Sequence, residues 1–289
     1  MWSIIALVLV AGVIVICCKP RSSEPKVSKG TLEWYRAFQS EYVSSRDVAV
    51  WLPEGFQKGS TCDVLYLHDG QMLFDARTTW NHQEWKVDEV ADSLIRNGVT
   101  RPFIVVGIYN TENRLIEYFP DKAAPSDCLT DVPKGDAYLS FIVKELKPVI
   151  DSTYHPEKSF IAGSSCGGLI SLYAFCEYPD VFSGAACLST HSSMELPFVK
   201  DSAIMAEAFR KYLAEHLPEP NSRFLYMDFG LDGMDKAYAP TQAKLDTLIR
   251  GLGWDSEHFV TLTFPGHDHN ETCWSRRLHI PLEFLLSTK

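Results

Sequence analysis

Short apolar runs alternate with segments of helical spacing along most of the chain. The runs at 64–68 and 103–108 are almost continuously hydrophobic and are bounded by turn residues. Because a strand buried on both faces needs apolar side chains at every position, this pattern is typical of parallel strands inside an α/β sheet. Further strands are predicted at 48–52, 159–162, 184–188, 224–228 and 260–264.

Segments with the spacing of amphipathic helices lie between these runs. In 85–97 the apolar residues fall on one helical face, and further helices are predicted at 137–150, 167–177, 241–252 and 270–286. This alternation predicts a doubly wound α/β domain, with a mostly parallel sheet and helices on both faces. In such a domain the active site lies at the carboxyl ends of the strands.

The N-terminal segment differs from the rest of the chain, because Trp2 to Cys18 is almost wholly apolar. A helix of about 18 residues spans roughly 27 Å, close to the hydrocarbon thickness of a membrane. A cleaved signal, a retained anchor and lipid attachment at Cys17 or Cys18 stay open, although the bulky Ile16 disfavours lipid attachment. We therefore expect an exported or membrane-associated protein, with residues 1–18 as this segment, a linker at 19–30 and a domain at 31–289.

Composition narrows the range of partners. The chain has 37 acidic and 27 basic residues, a net charge of −10, and no dense stripe of Lys or Arg. Because nucleic acids bind to basic surfaces, this composition argues against a nucleic-acid partner. The 8 cysteines include no C-x-x-C pair, so no zinc site is predicted. A disulfide between Cys128 and Cys273 stays open, as does the oligomeric state.

A nucleophile turn is predicted between a strand and a helix, at residues 163–167. The sequence Gly-Ser-Ser-Cys-Gly matches G-x-S-x-G, in which a sharp turn exposes the central Ser at the end of a strand. Such a turn strains the nucleophile, so the residues two before and two after it need to be nearly free of side chain. Gly163 and Gly167 meet this demand around Ser165.

Cys166 is the alternative nucleophile, because a thiolate is intrinsically more reactive than a hydroxyl. The flanking residues are then Ser164 and Gly168, and a side chain at position 164 fits a sharp turn less well. We therefore expect Ser165 to be the nucleophile. The backbone N–H of Cys166 is then expected to face the oxyanion, beside the N-terminus of the helix.

A serine nucleophile needs a general base, and two histidines follow the last predicted strand. His267 and His269 both satisfy the chain order Ser, acid, His that α/β enzymes of this kind use. His269 directly precedes the predicted closing helix, whose first turn can fix the orientation of the imidazole. We therefore prefer His269, with His267 as the alternative base.

Three acidic residues follow the strand at 224–228. Asp228 lies at the strand end, where backbone hydrogen bonds can occupy its carboxylate. Asp232 and Asp235 lie in the loop beyond, where a carboxylate can hold the imidazole tautomer and stabilise imidazolium. Spacing alone does not separate these two.

A second oxyanion donor is expected from the loop after the strand at 64–68. Gly70 allows the backbone to approach another group closely, and the N–H groups of Gly70 and Gln71 are the predicted donors. The alternative is that Asp69-Gly70 forms an ordinary turn without a role in chemistry.

Several sequence blocks carry a resemblance to known enzymes. They stand at 67–75, 113–120, 145–151, 163–168, 230–235 with Tyr238, and 266–271 with Trp274, Arg276, Arg277 and Leu278. In this order they resemble the putative-esterase family of α/β-hydrolases, which includes esterase D-like, enterochelin-esterase-like and feruloyl-esterase-like enzymes. The resemblance covers roughly residues 40–286.

The resemblance implies an α/β-hydrolase fold and assigns roles to three residues. It implies Ser165 as nucleophile and His269 as base, since the family has His directly before Asn-Glu. It implies Asp235 as acid, which matches an acidic residue followed by x-x-Tyr. Cys166 stands where Met is usual, so its thiol stays the alternative nucleophile. Leu231 stands where Thr is usual, so Asp232 stays the alternative acid.

Together these residues predict hydrolysis of a small-molecule carboxylic ester through an acyl-enzyme, without a metal or an organic cofactor. An acyltransferase that uses the same triad is one alternative, and a non-catalytic binding protein of the same fold is another. The identity of the ester stays open. Candidate pocket-lining residues are Trp80, Trp85, Tyr109 and Tyr118.

Overall fold

A computed structural model describes residues 24–288, and eight strands of this part form one sheet. The strand order is β1-β2-β4-β3-β5-β6-β7-β8. The pairs β1–β2 and β2–β4 are antiparallel, and all other neighbours are parallel. The strands are β1 (Thr31–Phe38), β2 (Arg46–Leu52), β3 (Asp63–His68), β4 (Phe103–Ile108), β5 (Ser159–Ser164), β6 (Phe182–Leu188), β7 (Phe224–Gly230) and β8 (Phe259–Phe264).

Helices follow most of the parallel strands and cover both faces of the sheet. A π-helical segment, Phe141–Leu146, joins α3 to α4, so that these three pieces form one continuous helical stretch. The helices are α1 (Val87–Arg96), α2 (Arg114–Glu117), α3 (Gly135–Ser140), α4 (Lys147–Tyr154), α5 (Cys166–Glu177), α6 (Ser202–His216), α7 (Ala239–Gly251), α8 (Glu271–Arg277) and α9 (His279–Leu286).

The core has two layers, one on each face of the sheet. Successive side chains of a strand point to opposite faces, so Val64 and Tyr66 belong to one layer while Leu65 and Leu67 belong to the other. Helices α3 to α7 pack on the first layer, and α1, α8 and α9 pack on the second. Strand β5 lies between β3 and β6 near the middle of the sheet, which places its carboxyl end at the centre of one edge.

The predicted fold class is confirmed, and each predicted strand lies within an observed strand. Strand β1 and helix α6 are additions that the hydrophobic pattern did not indicate. The single closing helix at 270–286 is wrong, because the structure has two helices separated at Leu278. Pro281 lies in the first turn of α9 and has no N–H group for a continuous helical ladder.

The start of the described chain lies against the domain. The backbone N–H of Lys26 donates to Asp75 at 2.9 Å, and that of Ser28 donates to Asp88 at 2.7 Å. Within residues 24–288, no helix has both the length and the apolar character that a membrane crossing requires. The apolar segment at 1–18 lies outside the described residues, so export or membrane association stays a prediction.

Candidate active site

Ser165 occupies a strained turn at the carboxyl end of β5. Its φ of 57° and ψ of −125° produce a sharp bend between β5 and α5. The N–H of Ser165 donates to the carbonyl oxygen of Leu188 at 3.0 Å. A Cβ on Gly163 would lie 2.7 Å from the carbonyl carbon of Gly167, so the two glycines allow the backbone segments to meet. Strained conformations of this kind persist where the surrounding structure fixes them, and they cluster at functional sites.

Cys166 is the first residue of α5, and its side chain is buried below the turn. Burial raises the pKa of the Cys166 thiol above its ordinary value, because a thiolate loses hydration in apolar surroundings. A cysteine nucleophile acts as the thiolate, so this environment is unfavourable for nucleophilic chemistry at sulfur.

His269 and Asp235 form a short hydrogen bond at the same edge of the sheet as Ser165, beyond the carboxyl ends of β8 and β7. The imidazole Nδ1 lies 2.6 Å from Oδ1 of Asp235, whose side chain is fully buried. Asp235 begins the short helical turn Asp235–Tyr238 after β7. Because Nδ1 faces the carboxylate, the opposite ring nitrogen, Nε2, faces away from Asp235.

The second carboxylate oxygen of Asp235 is also bound. Ser189 Oγ lies 2.5 Å from Oδ2, and the backbone N–H of Gly230 donates to Oδ2 at 2.8 Å. Burial raises the pKa of Asp235, but the hydrogen bonds from His269, Ser189 and Gly230 outweigh burial and hold the pKa below its ordinary value. The carboxylate is therefore ionised at neutral pH.

The segment around His269 is fixed by the start of α8. The side chain of Asn270 caps this helix by accepting a hydrogen bond from the N–H of Cys273 at 3.0 Å. The His269 ring also packs against Trp274 and Tyr238, with ring centroids 5.0 and 5.7 Å away. The imidazole is therefore held on two sides in addition to its hydrogen bond.

The two alternative residues occupy different environments. Asp232 is exposed, and its backbone N–H donates to the carbonyl oxygen of His267 at 3.1 Å. Nδ1 of His267 lies 3.3 Å from the guanidinium of Arg277, which donates the hydrogen bond. The structure thus brings together Asp235 and His269, whereas His267 contacts a cation.

A cavity of about 500 Å³ contains both Ser165 and His269. Of the candidate aromatic residues, Trp80 and Trp85 line this cavity. Tyr118 is buried, and its hydroxyl accepts a hydrogen bond from the backbone N–H of Asp69. Other lining residues are Asp69, Gln71, Met72, Asn81, Gln83, Asn110, Arg114, Ser164, Met234, Asn270, Glu271 and Trp274.

An ion pair forms the cavity wall next to the loop after β3. Nε and Nη2 of Arg114 donate to the two carboxylate oxygens of Asp69 at 2.7 and 2.8 Å, and Asn110 donates to Oδ1 at 2.6 Å. Burial raises the pKa of Asp69, but Arg114 outweighs this effect and holds the pKa below its ordinary value. Asp69 has a φ of 59°, which places it in the left-handed region.

The predicted oxyanion donors lie in the turn that follows Asp69. Gly70 and Gln71 begin the short helix Gly70–Met72. A Cβ on Gly70 would lie 2.7 Å from the backbone carbonyl of Gly107, so this close approach requires glycine. Gln71 lines the cavity, and its side-chain oxygen accepts a hydrogen bond from the N–H of Asn110 at 3.2 Å.

Sequence reasoning missed Ser189, Asn110 and the contact between Arg114 and Asp69. A usable signal was present, because Ser189 directly follows β6 and Asn110 lies two residues beyond β4. Residues after the carboxyl ends of neighbouring parallel strands converge on one edge of the sheet. Applying that rule to every strand, rather than to the motif strands alone, would have marked these positions.

Comparison with known proteins assigns the chain to a family and its fold to a class. The family model described as "Putative esterase" matches residues 40–276. Among solved structures, a ferulic acid esterase superposes with a TM-score of 0.66 at 20% identity, covering 89% of this chain and 97% of that chain. An IroE-like serine hydrolase from Shewanella oneidensis gives 0.64 at 19% identity, covering 88% of this chain and 79% of that one.

Two further similarities complete the comparison. The enterobactin esterase FES from Shigella flexneri superposes with a TM-score of 0.65 at 18% identity, covering 90% of this chain and 60% of that chain. The uncharacterized protein YbbA of Bacillus subtilis (strain 168) is 30% identical over 168 residues. That alignment includes 56% of this chain and 60% of YbbA, so it spans less than two thirds of the relative.

The superpositions define the class as the α/β-hydrolase fold. The family match covers most of the sequence, and the chain belongs to this esterase family.

Proposed function

We propose that the protein is a serine hydrolase of carboxylic esters that uses Ser165, His269 and Asp235 as its catalytic triad. The observation that carries the proposal is the 2.6 Å bond between His269 Nδ1 and the buried Asp235, in a cavity that also contains Ser165. Family membership supports the ester as the reacting group.

Acylation is the first step of the proposed reaction. Nε2 of neutral His269 takes the hydroxyl proton of Ser165 while Oγ attacks the ester carbonyl carbon. Asp235 holds the tautomer that leaves Nε2 free to accept this proton, and its charge stabilises the imidazolium that forms. The imidazolium then protonates the leaving alkoxide, and the acyl group stays on Ser165 as an ester.

Deacylation repeats the same proton transfers with water. His269 takes a proton from water as the water oxygen attacks the acyl-enzyme, and the protonated His269 returns a proton to Ser165 as the carboxylic acid leaves. The N–H of Cys166 at the start of α5 and the N–H groups of Gly70 and Gln71 are the proposed oxyanion donors in both steps. Asp235 stays ionised throughout.

Active-site labelling tests the nucleophile assignment. A fluorophosphonate probe is expected to label the wild-type protein and Cys166→Ala but not Ser165→Ala, because the probe traps an activated serine. The wild-type protein and Cys166→Ala should hydrolyse p-nitrophenyl esters, whereas Ser165→Ala should not. Labelling that survives Ser165→Ala and disappears in Cys166→Ala would assign the reaction to the thiol instead.

The substrate class needs its own assay. The names of the similar structures point to esters of ferulic acid and to enterobactin as classes to test, alongside p-nitrophenyl esters of rising chain length. Product analysis with an added alcohol acceptor separates hydrolysis from acyl transfer. Free carboxylic acid as the main product supports the hydrolase, whereas a new ester as the main product would establish the transferase.

A further inference from the structure

Ser189 lies behind the Asp235–His269 pair, directly after β6. Its side chain is fully buried, and its φ of 43° lies in the left-handed region, which is uncommon for a residue with a side chain. The N–H of Ser189 donates to the carbonyl oxygen of Asp228 at 2.7 Å and fixes this conformation. The strained backbone aims the Ser189 hydroxyl at the acid of the proposed triad.

The direction of each hydrogen bond at Ser189 follows from its three partners. Oγ lies 2.9 Å from Nε1 of Trp274, 2.8 Å from Nη2 of Arg277 and 2.5 Å from Oδ2 of Asp235. The indole and guanidinium groups only donate, and an ionised carboxylate only accepts. Ser189 therefore accepts two hydrogen bonds and donates its single hydroxyl proton to Asp235.

We propose that Ser189 is a positioning residue for Asp235, and that Trp274 and Arg277 orient the Ser189 hydroxyl for this task. The inference rests on the proposed function, because it assigns Ser189 to the acid of that triad. Donors on Oδ2 from Ser189 and from the N–H of Gly230 fix the rotation of the carboxyl group, so that Oδ1 faces His269.

Arg277 is held in place by Asp228 and donates to the Ser189 hydroxyl. Its guanidinium is buried and donates to Asp228 through Nε at 3.1 Å and through Nη2 at 3.0 Å. Nη2 also lies 3.7 Å from Asp235. Because the cation already has two bonds to Asp228, it cannot turn away from Ser189 without leaving a buried charge unpaired. Donation from a cation also strengthens the onward bond from Ser189 to Asp235.

Replacement of Ser189 separates positioning from folding. We expect Ser189→Ala to lower kcat by about 10- to 100-fold with little change in KM, because the hydroxyl contacts Asp235 and not the substrate. Ser189→Gly removes the same hydroxyl and relieves the left-handed strain. The glycine variant should therefore show the same loss of kcat with a thermal midpoint at least as high as that of Ser189→Ala.

Ser192 provides a matched control in the same loop. It is buried, and its Oγ has no hydrogen-bond partner among residues 24–288. Ser192→Ala should keep the wild-type kcat. The downfield NMR resonance of the His269 Nδ1 proton is a second readout. This resonance should persist in Ser192→Ala and shift or broaden in Ser189→Ala, because the carboxylate orientation changes only in the latter.

Trp274→Phe tests the hydrogen bond from Trp274 Nε1 to Ser189 Oγ. The phenyl ring keeps packing against His269 and Trp85, whose ring centroids lie 5.0 and 5.5 Å from that of Trp274, but it lacks the Nε1 donor. We expect Trp274→Phe to lower kcat by about 2- to 10-fold in the wild-type background. Adding Trp274→Phe to Ser189→Ala should leave kcat unchanged, because Trp274 acts on Asp235 through the Ser189 hydroxyl.

Two results would overturn the positioning role. A wild-type kcat in Ser189→Ala would contradict it directly, and independent effects of Trp274→Phe and Ser189→Ala would contradict the series of contacts. Both are distinguishable from failure of the proposed function. If that function is wrong, either the wild type does not hydrolyse esters or Ser165→Ala and His269→Ala keep its hydrolytic activity. If the positioning role alone is wrong, those two variants are inactive while Ser189→Ala is fully active.

Discussion

Two charged clusters, one that lines the cavity and one that lies behind His269, differ in their ratio of cations to anions. In the Asp69 wall (Asp69, Asn110 and Arg114), one guanidinium meets one carboxylate through two hydrogen bonds. In the Asp235 wall (Ser189, Asp228, Asp235, His269 and Arg277), only His269 lines the cavity, and the other four residues are buried behind it. Its single guanidinium lies 3.0 Å from Asp228 and 3.7 Å from Asp235. The first wall is balanced in charge. Burial raises the pKa of Asp228 to about 6, so above that pH the second wall carries one excess negative charge next to an imidazole.

This difference assigns the walls different duties in the proposed reaction. The excess charge of the Asp235 wall is neutralised when His269 takes a proton, so this wall favours the protonated state that acylation creates. The Asp69 wall has no unbalanced charge to offer, and it fixes the loop that contains Gly70 and Gln71. We therefore expect charge changes in the Asp235 wall to affect rate and those in the Asp69 wall to affect stability.

The largest expected effect comes from Asp235→Asn. An amide keeps the shape of the side chain but favours the wrong imidazole tautomer and removes the charge that faces imidazolium. We expect kcat to fall by about 10³- to 10⁴-fold, measured by steady-state ester hydrolysis. Asp232→Asn is the control, because Asp232 is exposed, and it should keep kcat within about twofold of the wild-type value.

A smaller effect, on stability, is expected from Asp69→Asn. Asparagine tolerates the left-handed backbone of this position, but it leaves the charge of Arg114 unpaired. We expect the free energy of unfolding to fall by about 1–3 kcal/mol at neutral pH, since the pair is only partly exposed. Denaturant unfolding of both proteins measures this difference, and kcat should fall far less than in Asp235→Asn.

The same variant has a defined pH dependence. The pKa of Asp69 is lower in the folded protein than in the unfolded chain, so its stabilisation is present at pH values above the unfolded pKa. That stabilisation is lost as the pH falls through the folded pKa. The stability difference between wild type and Asp69→Asn should therefore be full near neutral pH and shrink in strong acid. A difference that grows in acid would contradict the lowered pKa.

The smallest expected effect comes from Trp80→Ala, at the exposed rim of the cavity. Trp80 lines the cavity but is 82% exposed, so its removal leaves the core intact. We expect KM to rise by about 3- to 10-fold for esters large enough to reach the rim, with kcat unchanged. The free energy of unfolding should change by less than about 0.5 kcal/mol. A large fall in kcat would place Trp80 nearer the reacting atoms than the structure does.

Most of the inner strands, β2 to β7, could be predicted from the sequence because burial on both faces makes them almost continuously apolar. Strand β1 lacks this signal, since most of its residues are half-buried at the edge of the sheet. Helix α6 has a weak pattern because several of its residues face solvent. Both elements depend on tertiary packing rather than on a strong local sequence preference.

The candidate site was predictable to the extent that its chemistry is local. A short segment of sequence determines the turn at Ser165, and His269 directly precedes a capped helix. The choice of Asp235 over Asp232 came from the family resemblance. The two residues are close together in one loop, and only the folded structure shows that Asp235 is buried and Asp232 exposed. The contacts among Ser189, Trp274 and Arg277 join residues 85 and 88 positions apart, and no local pattern records such convergence.

The cysteines of the domain have a consequence for handling the protein. Six cysteines are buried and free, so no disulfide crosslinks the chain between residues 24 and 288. They are Cys62, Cys128, Cys166, Cys176, Cys187 and Cys273. Unfolding exposes six thiols at once, and air oxidation can then join them in non-native pairs. Refolding yield should consequently depend on added reductant.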